Sequence, residues 1–386
     1  MAILWIWAGY AADRRYAALD AKVKSMVAEL QARDGRRPVL RGESQPGNSW
    51  DHYTKAVVEL RNAKGSEHLY ALVARHPKAD PAIGEKLLAD HGSVLDHLRR
   101  GAARASSRTY DWDEARAGSV LDRSSYDMST TGGLLKVSYL VQLKARSLSS
   151  EGKTREAVET LLDLCQLGRD FAADGPTTRG ELGLSYLGIA LHELKDLLAS
   201  VKMDAEALSD LEGALKQLDE SFPRHDLALQ QEGLSRAVVL LPECSSGVGW
   251  GRLMTLDSLE RLIQWHERAA QAERTSWSQF QKVSSEAQED AARSWNPLFR
   301  MTASTPLSDG NSNRAYRARL RLLRVAVHWQ AKGVILDLED PFGAQLMHTQ
   351  NGNTLKVWSV GRDRVDDGGS GTWEKSGKDI VLEIGK

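Results

Sequence analysis

The chain is poor in cysteine: Cys165 and Cys244 are the only two among 386 residues, and neither belongs to a C-x-x-C pattern. Two thiols are too few for a four-thiolate metal centre or a disulfide framework. Cys165 lies in the apolar stripe of a predicted helix, where a small buried side chain is the ordinary interpretation. Cys244 follows Pro242 in a predicted loop. In an oxidising compartment the two thiols have the option of pairing, but we expect both to be free.

The chain also lacks an excess of charge of either sign, because 51 Lys and Arg residues face 52 Asp and Glu residues, for a net charge of −1. A nearly neutral protein has no strong field that attracts a polyanion. The main basic cluster is the arginine-rich run 314–324, and no aromatic-interleaved basic patch accompanies it. We therefore do not expect nucleic-acid binding.

Compact catalytic motifs are missing as well. The sequence contains no H-E-x-x-H metal pair, no phosphate-binding P-loop or G-x-G-x-x-G, and no G-x-S-x-G with the spacing of a catalytic triad. The dipeptide His192-Glu193 has no second histidine one turn further on. The sequence thus predicts a non-enzymatic protein. A helical hydrolase or lipid-binding enzyme whose site is assembled from distant residues remains the alternative.

Long apolar runs are absent, and the strongest one, Ala2–Ala12, ends at Asp13. A membrane-spanning helix needs about 20 apolar residues, and the run has neither the basic leading region nor the cleavage site of a signal peptide. It carries Trp5, Trp7 and Tyr10, residue types that concentrate at membrane interfaces. We interpret it as the distal half of a membrane anchor that continues into a stalk helix. The alternative is a first helix packed on the core.

What the sequence does contain is helical periodicity over most of its length, with apolar residues at steps of three and four. We predict a mainly α fold, in which an array of helical hairpins is followed by a small α+β module of one helix and short antiparallel strands. The predicted domains are a partial anchor and stalk (1–32), a helical domain (50–295) and the C-terminal module (314–386). Helices are predicted at 204–220, 224–240 and 314–333, the last ended by Gly333, and a further helix is predicted to contain Glu114 and Ala115. A loop is predicted at 245–251, and breaks are expected at several points, including 125–133.

The clearest helical unit is 132–175, where one helix runs to about Ser149, Gly152 permits a tight turn, and a second helix carries Ala157 and Leu161. This segment resembles a tetratricopeptide-type hairpin, and the segments 137–148 and 184–198 echo each other at the spacing of such repeats. The resemblance implies that the helical domain binds a protein partner.

The C-terminal end has a different pattern, with predicted strands at 355–361 and 379–384 around an acidic, glycine-rich loop. Two carboxylates at about 4 Å repel by ~1 kcal/mol in water and ~4 kcal/mol near a protein surface. A bound Ca²⁺ relieves that repulsion, since it takes six to eight oxygen ligands, including backbone carbonyls of a flexible loop. An acidic turn without an ion is the alternative.

The residues Asp340-Pro341-Phe342-Gly343, the run from Trp358 to Asp363, and Asp379-Ile380 resemble the C-terminal half of the major pseudopilin of type II secretion. The resemblance covers roughly the last seventy residues, and it implies a calcium loop with Asp363 and Asp379 as ligands. A rival register of the EF-hand type is incomplete, and it adds Asp367 and Glu374 as ligands of second rank.

The overall arrangement resembles large envelope proteins of planctomycetes and myxobacteria. No activity comes with that resemblance. We predict a non-enzymatic protein tethered at the periplasmic face of the inner membrane, with a helical interaction domain and a calcium-binding end. A component of a type II-like secretion system is a further alternative, which depends on the C-terminal resemblance alone.

Overall fold

The computed structural model describes residues 2–33, 35–76, 80–113, 120–245, 249–302, 307–343, 345–375 and 377–385. Within these ranges the α-helices are α1 (Ala2–Ala32), α2 (Trp50–Arg61), α3 (Leu69–Val73), α4 (Pro81–Asp90), α5 (Gly92–Ala102), α6 (Val120–Ser150), α7 (Thr154–Ala173), α8 (Thr177–Ser200), α9 (Ala205–Glu220), α10 (His225–Leu240), α11 (Gly249–Thr275), α12 (Trp277–Arg293), α13 (Pro297–Thr302) and α14 (Asn311–Lys332).

Two small sheets accompany the helices. The strands β1 (Gln45–Asn48) and β2 (Arg104–Ser106) pair in parallel. Near the C-terminus, β3 (Met347–Asn351), β4 (Thr354–Ser359) and β5 (Ile380–Gly385) form an antiparallel sheet in the order β3-β4-β5. The predicted fold class, mainly α with a small α+β end, is confirmed.

The turn between α6 and α7 and the crossing of α7 with α8 both depend on glycine. Gly152 has a φ of 76°, a left-handed conformation that glycine adopts without steric cost. A Cβ atom at Gly168 would lie 2.5 Å from the backbone nitrogen of Leu187, and one at Gly183 would meet the backbone of Ala172. Two glycines therefore let α7 and α8 approach to backbone contact.

The break predicted at 125–133 is wrong, because α6 continues through it to Ser150. Gly132 and Gly133 lie inside the helix, and a Cβ atom at Gly133 would collide with the side chain of Val57 on α2. Gly133 therefore allows close packing of α6 on α2, and neither glycine forms a turn. The helix predicted to contain Glu114 and Ala115 lies outside the described residues.

The described residues form one large apolar core, a smaller one beside it, and two minor clusters centred on Phe280 and Phe299. The large core runs from α2 to the C-terminal sheet and includes Cys165, Trp329 and Ile380, all fully buried. The smaller core joins α1 to α10 and α11 and includes Cys244. Both cysteines are buried and free. The strands β4 and β5 are therefore packed into the same core as the helical body.

Candidate functional site

The loop between β4 and β5 carries the residues that the sequence singled out, and a buried carboxylate organises it. Asp379 is completely buried. Its carboxylate accepts hydrogen bonds from the backbone N–H of Gly369 at 2.7 Å and of Asp367 at 3.4 Å. Gly368 and Gly369 have φ values of 68° and 71°, so the chain curls around this carboxylate in a conformation that favours glycine.

Asp340, in the turn before β3, accepts hydrogen bonds from the C-terminal end of β4 in the same way. It is 4% exposed, and its carboxylate accepts hydrogen bonds from the backbone of Phe342 (2.9 Å) and Val360 (2.9 Å) and from the Ser359 hydroxyl (2.7 Å). The Asp340 side chain therefore holds the turn at residues 340–343 against the end of β4. Carboxylates that accept backbone N–H bonds stabilise such turns as charge-assisted acceptors.

Asp366 is a third acceptor in the loop. Its Oδ1 accepts from the Trp358 indole at 3.0 Å and from the backbone N–H of Gly368 at 2.9 Å. The hydrogen bond from Trp358, followed by that from Gly368, lowers the pKa of Asp366 below its ordinary value. No feature of the sequence separates this acceptor from its acidic neighbours.

The four predicted calcium ligands occupy different environments. Asp363 is exposed, and its Oδ1 accepts from the backbone N–H of Val365 at 3.1 Å. Asp367 lies 3.8 Å from the Lys378 ammonium, and Glu374 is exposed. The direct contact within the set is the bond from the Asp367 N–H to Asp379.

Calcium in this loop stays a prediction. Among the described residues, no group of three or more His, Cys, Asp or Glu side chains is placed to hold a metal ion. As arranged, the buried carboxylate of Asp379 is directed at N–H donors, so the donor set fits an ion only if the loop rearranges around it. The hydrogen bonds described above are sufficient to explain the loop geometry.

A second candidate site lies at one end of the smaller core, where α1 and α11 run side by side. Asp13 pairs with Arg252 at 2.5 Å, near the start of α11. Further along both helices, Lys22 pairs with Glu267 at 3.1 Å. Because the residue numbers rise together, the helices are parallel and their N-terminal ends lie at the same end of the molecule.

That shared end exposes large aromatic side chains, which we call the aromatic end (Trp7, Tyr10 and Trp250). Their exposed fractions are 61%, 63% and 44%. Exposed aromatic side chains in one place are more informative than scattered single apolar residues. Trp7 and Tyr10 were recognised in the sequence, whereas Trp250 fell in a predicted loop and was missed.

Two arginines follow the aromatic end along α1. Arg14 is exposed, and its guanidinium lies 6.0 Å from the centre of the Tyr10 ring. Arg15 is exposed and makes long ion pairs, 3.7 Å to Asp257 and 3.9 Å to Glu260. Aromatic rings at a tip with arginines one helical turn behind match the polarity of a lipid interface, where apolar chains give way to headgroups.

Within the described part of the chain, no helix has an apolar stretch long enough to cross a bilayer. Comparison with protein-family models, with curated proteins and with solved structures finds no match. The resemblances to a pseudopilin and to a tetratricopeptide hairpin therefore stay predictions, and the functional argument depends on the geometry of this chain.

Proposed function

We propose that the protein docks on a membrane surface through its aromatic end and holds its helical body beside the bilayer as a scaffold for a protein partner. The observation that carries the proposal is the exposure of Trp7, Tyr10 and Trp250 near the N-terminal ends of two parallel helices. The scaffold role and the partner rest on the hairpin resemblance at 132–175.

The chemistry of these side chains supports an interfacial position. Trp and Tyr prefer the boundary between lipid and water, because the ring leaves water while its N–H or O–H keeps a hydrogen-bond partner. Arg14 and Arg15 lie just over one turn, or roughly 6–8 Å, behind Tyr10 along the axis, at a depth that suits phosphate headgroups. The attachment of α1 to the body is independent of the bilayer, since Ala8 and Ala12 are fully buried against it.

The test is co-sedimentation of the full chain with phosphatidylcholine vesicles, with and without added anionic lipid. Burying an aromatic side chain contributes about 1–2 kcal/mol. The double variant Trp7→Ser/Tyr10→Ser should therefore lower the partition coefficient by at least about tenfold. Anionic lipid should strengthen binding of the wild type in a salt-sensitive manner, through Arg14 and Arg15.

Tyr70 offers a matched control, because it is 66% exposed and lies on α3, away from the smaller core. Tyr70→Ser should leave the partition coefficient unchanged. Absence of wild-type binding to either kind of vesicle, or equal binding of the wild type and the double variant, would refute membrane docking through this end.

A further inference from the structure

A cleft of about 250 Å³ lies between α8, α10, α11 and α12, outside the loop and the aromatic end. Its apolar wall includes Leu229, Leu262 and Ala287, which are all buried. Its polar wall includes His266, one turn of helix from Leu262. A concave, largely apolar site with a few fixed polar groups is the ordinary form of a small-molecule site.

His266 is the best-defined polar group of the cleft. It is only 4% exposed, and its Nδ1 lies 2.8 Å from the backbone carbonyl oxygen of Leu262. A carbonyl accepts only, so Nδ1 carries the proton and Nε2 carries the lone pair. The His266 ring lines the cleft. In the part of the chain that the structure describes, no group donates a hydrogen bond to its Nε2 atom. A Cβ atom at Gly233 would lie 2.9 Å from the His266 Cβ, so the ring is seated against a bare glycine.

The imidazole is held in its neutral form. Burial lowers the pKa of His266, the charge of Arg236 adds to that effect, and the bond to Leu262 and the charge of Glu232 oppose it. Glu232 and Arg236 pair with each other at 3.0 Å. Glu232 also accepts hydrogen bonds from the backbone N–H and the hydroxyl of Thr177.

The remaining polar groups of the cleft are mostly neutral. Thr178, Ser284 and Gln288 line it, and their side chains make no hydrogen bond within the described residues. Glu181 also lines the cleft and makes no ion pair within the described residues. Its carboxylate accepts a hydrogen bond from the Ser308 hydroxyl at 3.2 Å. The cleft thus offers acceptors and hydroxyls on an apolar wall, with a slight excess of negative charge.

We propose that this cleft binds a small alcohol or amine, whose apolar body lies against Leu262 and Ala287 and whose O–H or N–H donates a hydrogen bond to Nε2 of His266. A hydrogen bond from a ligand O–H or N–H to Nε2 would fix the orientation of the ligand while its apolar body covers the apolar wall. A carboxylate or phosphate is excluded, because it has no proton to give to a neutral Nε2 and is repelled by Glu181.

The experiment titrates the full-length protein with three probes of one skeleton: benzyl alcohol, benzylamine and benzoate. NMR of ¹⁵N-histidine-labelled protein follows the Nε2 resonance of His266. Benzyl alcohol and benzylamine should each shift that resonance in a saturable manner, with benzylamine the tighter if Glu181 takes part. Benzoate should leave it unchanged.

His266→Phe keeps an aromatic ring and removes the acceptor, and it should weaken benzyl alcohol binding about fivefold to tenfold. His192→Phe is the matched control, since His192 has a 40% exposed side chain and is not part of the cleft lining. Benzoate binding as tightly as the alcohol, or no Nε2 shift with any probe, would overturn the proposal. The same holds for an unchanged alcohol affinity in His266→Phe. If that variant does not fold, the comparison of the three probes on the wild type decides.

Discussion

The carboxylate of Asp219 on α9 forms ion pairs with three arginines of α14. Arg317 lies at 2.8 Å and Arg321 at 3.1 Å, and Arg324 makes a shorter contact. The Asp219 side chain is only 5% exposed. Burial alone raises the pKa of Asp219, but the hydrogen bond from Arg317 and the three positive charges outweigh it, so the pKa is lowered. One carboxylate thus neutralises part of a basic cluster in which Arg321 and Arg324 are mostly buried.

Asp219→Asn should lower the free energy of unfolding at pH 7 by about 3 kcal/mol, because it leaves the mostly buried guanidinium groups of Arg321 and Arg324 without this counter-charge. A carboxyl group with a depressed folded pKa stabilises the fold above its unfolded pKa of about 3.9, and that contribution is lost as the pH falls through the folded pKa. Urea denaturation at pH 7 and at pH 3 should therefore show a large gap between variant and wild type that narrows in acid.

The matched control is Asp210→Asn on the same helix. Asp210 is 59% exposed and pairs with Arg155 at 2.9 Å. An exposed pair contributes at most about 1 kcal/mol, so this variant should change stability little at either pH. Equal effects of the two substitutions would mean that the arginine cluster does not depend on Asp219.

The calcium prediction can be tested at single residues of the β4–β5 loop. If the loop binds the ion, calcium raises the melting temperature of the wild type, and Asp363→Ala removes that increase. Glu383→Ala, an exposed position on β5, should keep it. Identical melting curves in calcium and in chelator would leave backbone hydrogen bonds as the stabiliser of the loop.

Asp379→Asn gives a result that is independent of calcium. It turns a carboxylate that accepts from Gly369 into a neutral amide, and this should cost about 1–3 kcal/mol even in chelator. The sequence indicated that Asp379 matters, through the pattern Asp379-Ile380. It did not indicate the reason, because Asp379 acts as an acceptor only once the folded loop places the Gly369 N–H beside it.

At the scale of elements, sequence periodicity predicted several helices closely. The predicted helix 314–333, ended by Gly333, is α14, and Gly333 has the expected left-handed φ of 73°. The predicted pair 204–220 and 224–240 corresponds to α9 and α10. Asp204 caps the start of α9 by accepting from the Ala207 N–H, and Gly333 ends α14, so local signals sufficed at these ends.

The sequence failed where a residue's role is set by a distant neighbour. Gly133 was interpreted as part of a turn, but it lies in α6 opposite Val57, which is far away along the chain. The strands β1 and β3 were missed because neither QPGN nor MHTQN alternates apolar and polar residues. Pairing with β2 and β4 creates those strands, and single-sequence patterns contain no record of pairing.

The two adjacent glycines of α6 allow a matched test of close packing. Gly133→Ala should destabilise the protein by about 1–3 kcal/mol through overpacking against Val57. Gly132→Ala, where a Cβ meets nothing within 4 Å, should stabilise it by about 0.5–1 kcal/mol through helix propensity. Thermal or urea denaturation of both variants measures the difference. Adding Val57→Ala should reduce the cost of Gly133→Ala, and strict additivity of the two would contradict direct contact.

At the scale of the whole molecule, hydrogen bonds and apolar packing hold the C-terminal sheet against the helical body, in addition to the covalent chain. Arg319 on α14 donates hydrogen bonds to the backbone carbonyls of Trp373 and Glu374, at 2.8 and 2.9 Å. The Lys195 ammonium on α8 lies 5.9 Å from the centre of the Trp373 ring. Leu355 and Ile380 of the sheet belong to the same buried cluster as residues of α7 and α9. Segments of this kind unfold together when they share one core.

We therefore expect the amides of β4 and β5 to exchange with deuterium only through the global unfolding that also exposes α7. Their apparent free energies of opening in native-state hydrogen exchange should match those of Leu164 and Leu167, which are fully buried on α7. The internal control is β3, whose five residues are all exposed at the edge of the sheet and should exchange faster. A distinctly lower free energy for Val357 and Leu382 than for α7 would instead show that the C-terminal module opens as a separate unit. The shared core would then not couple the sheet to the helices, and residues 314–386 would behave as the separate domain that the sequence predicted.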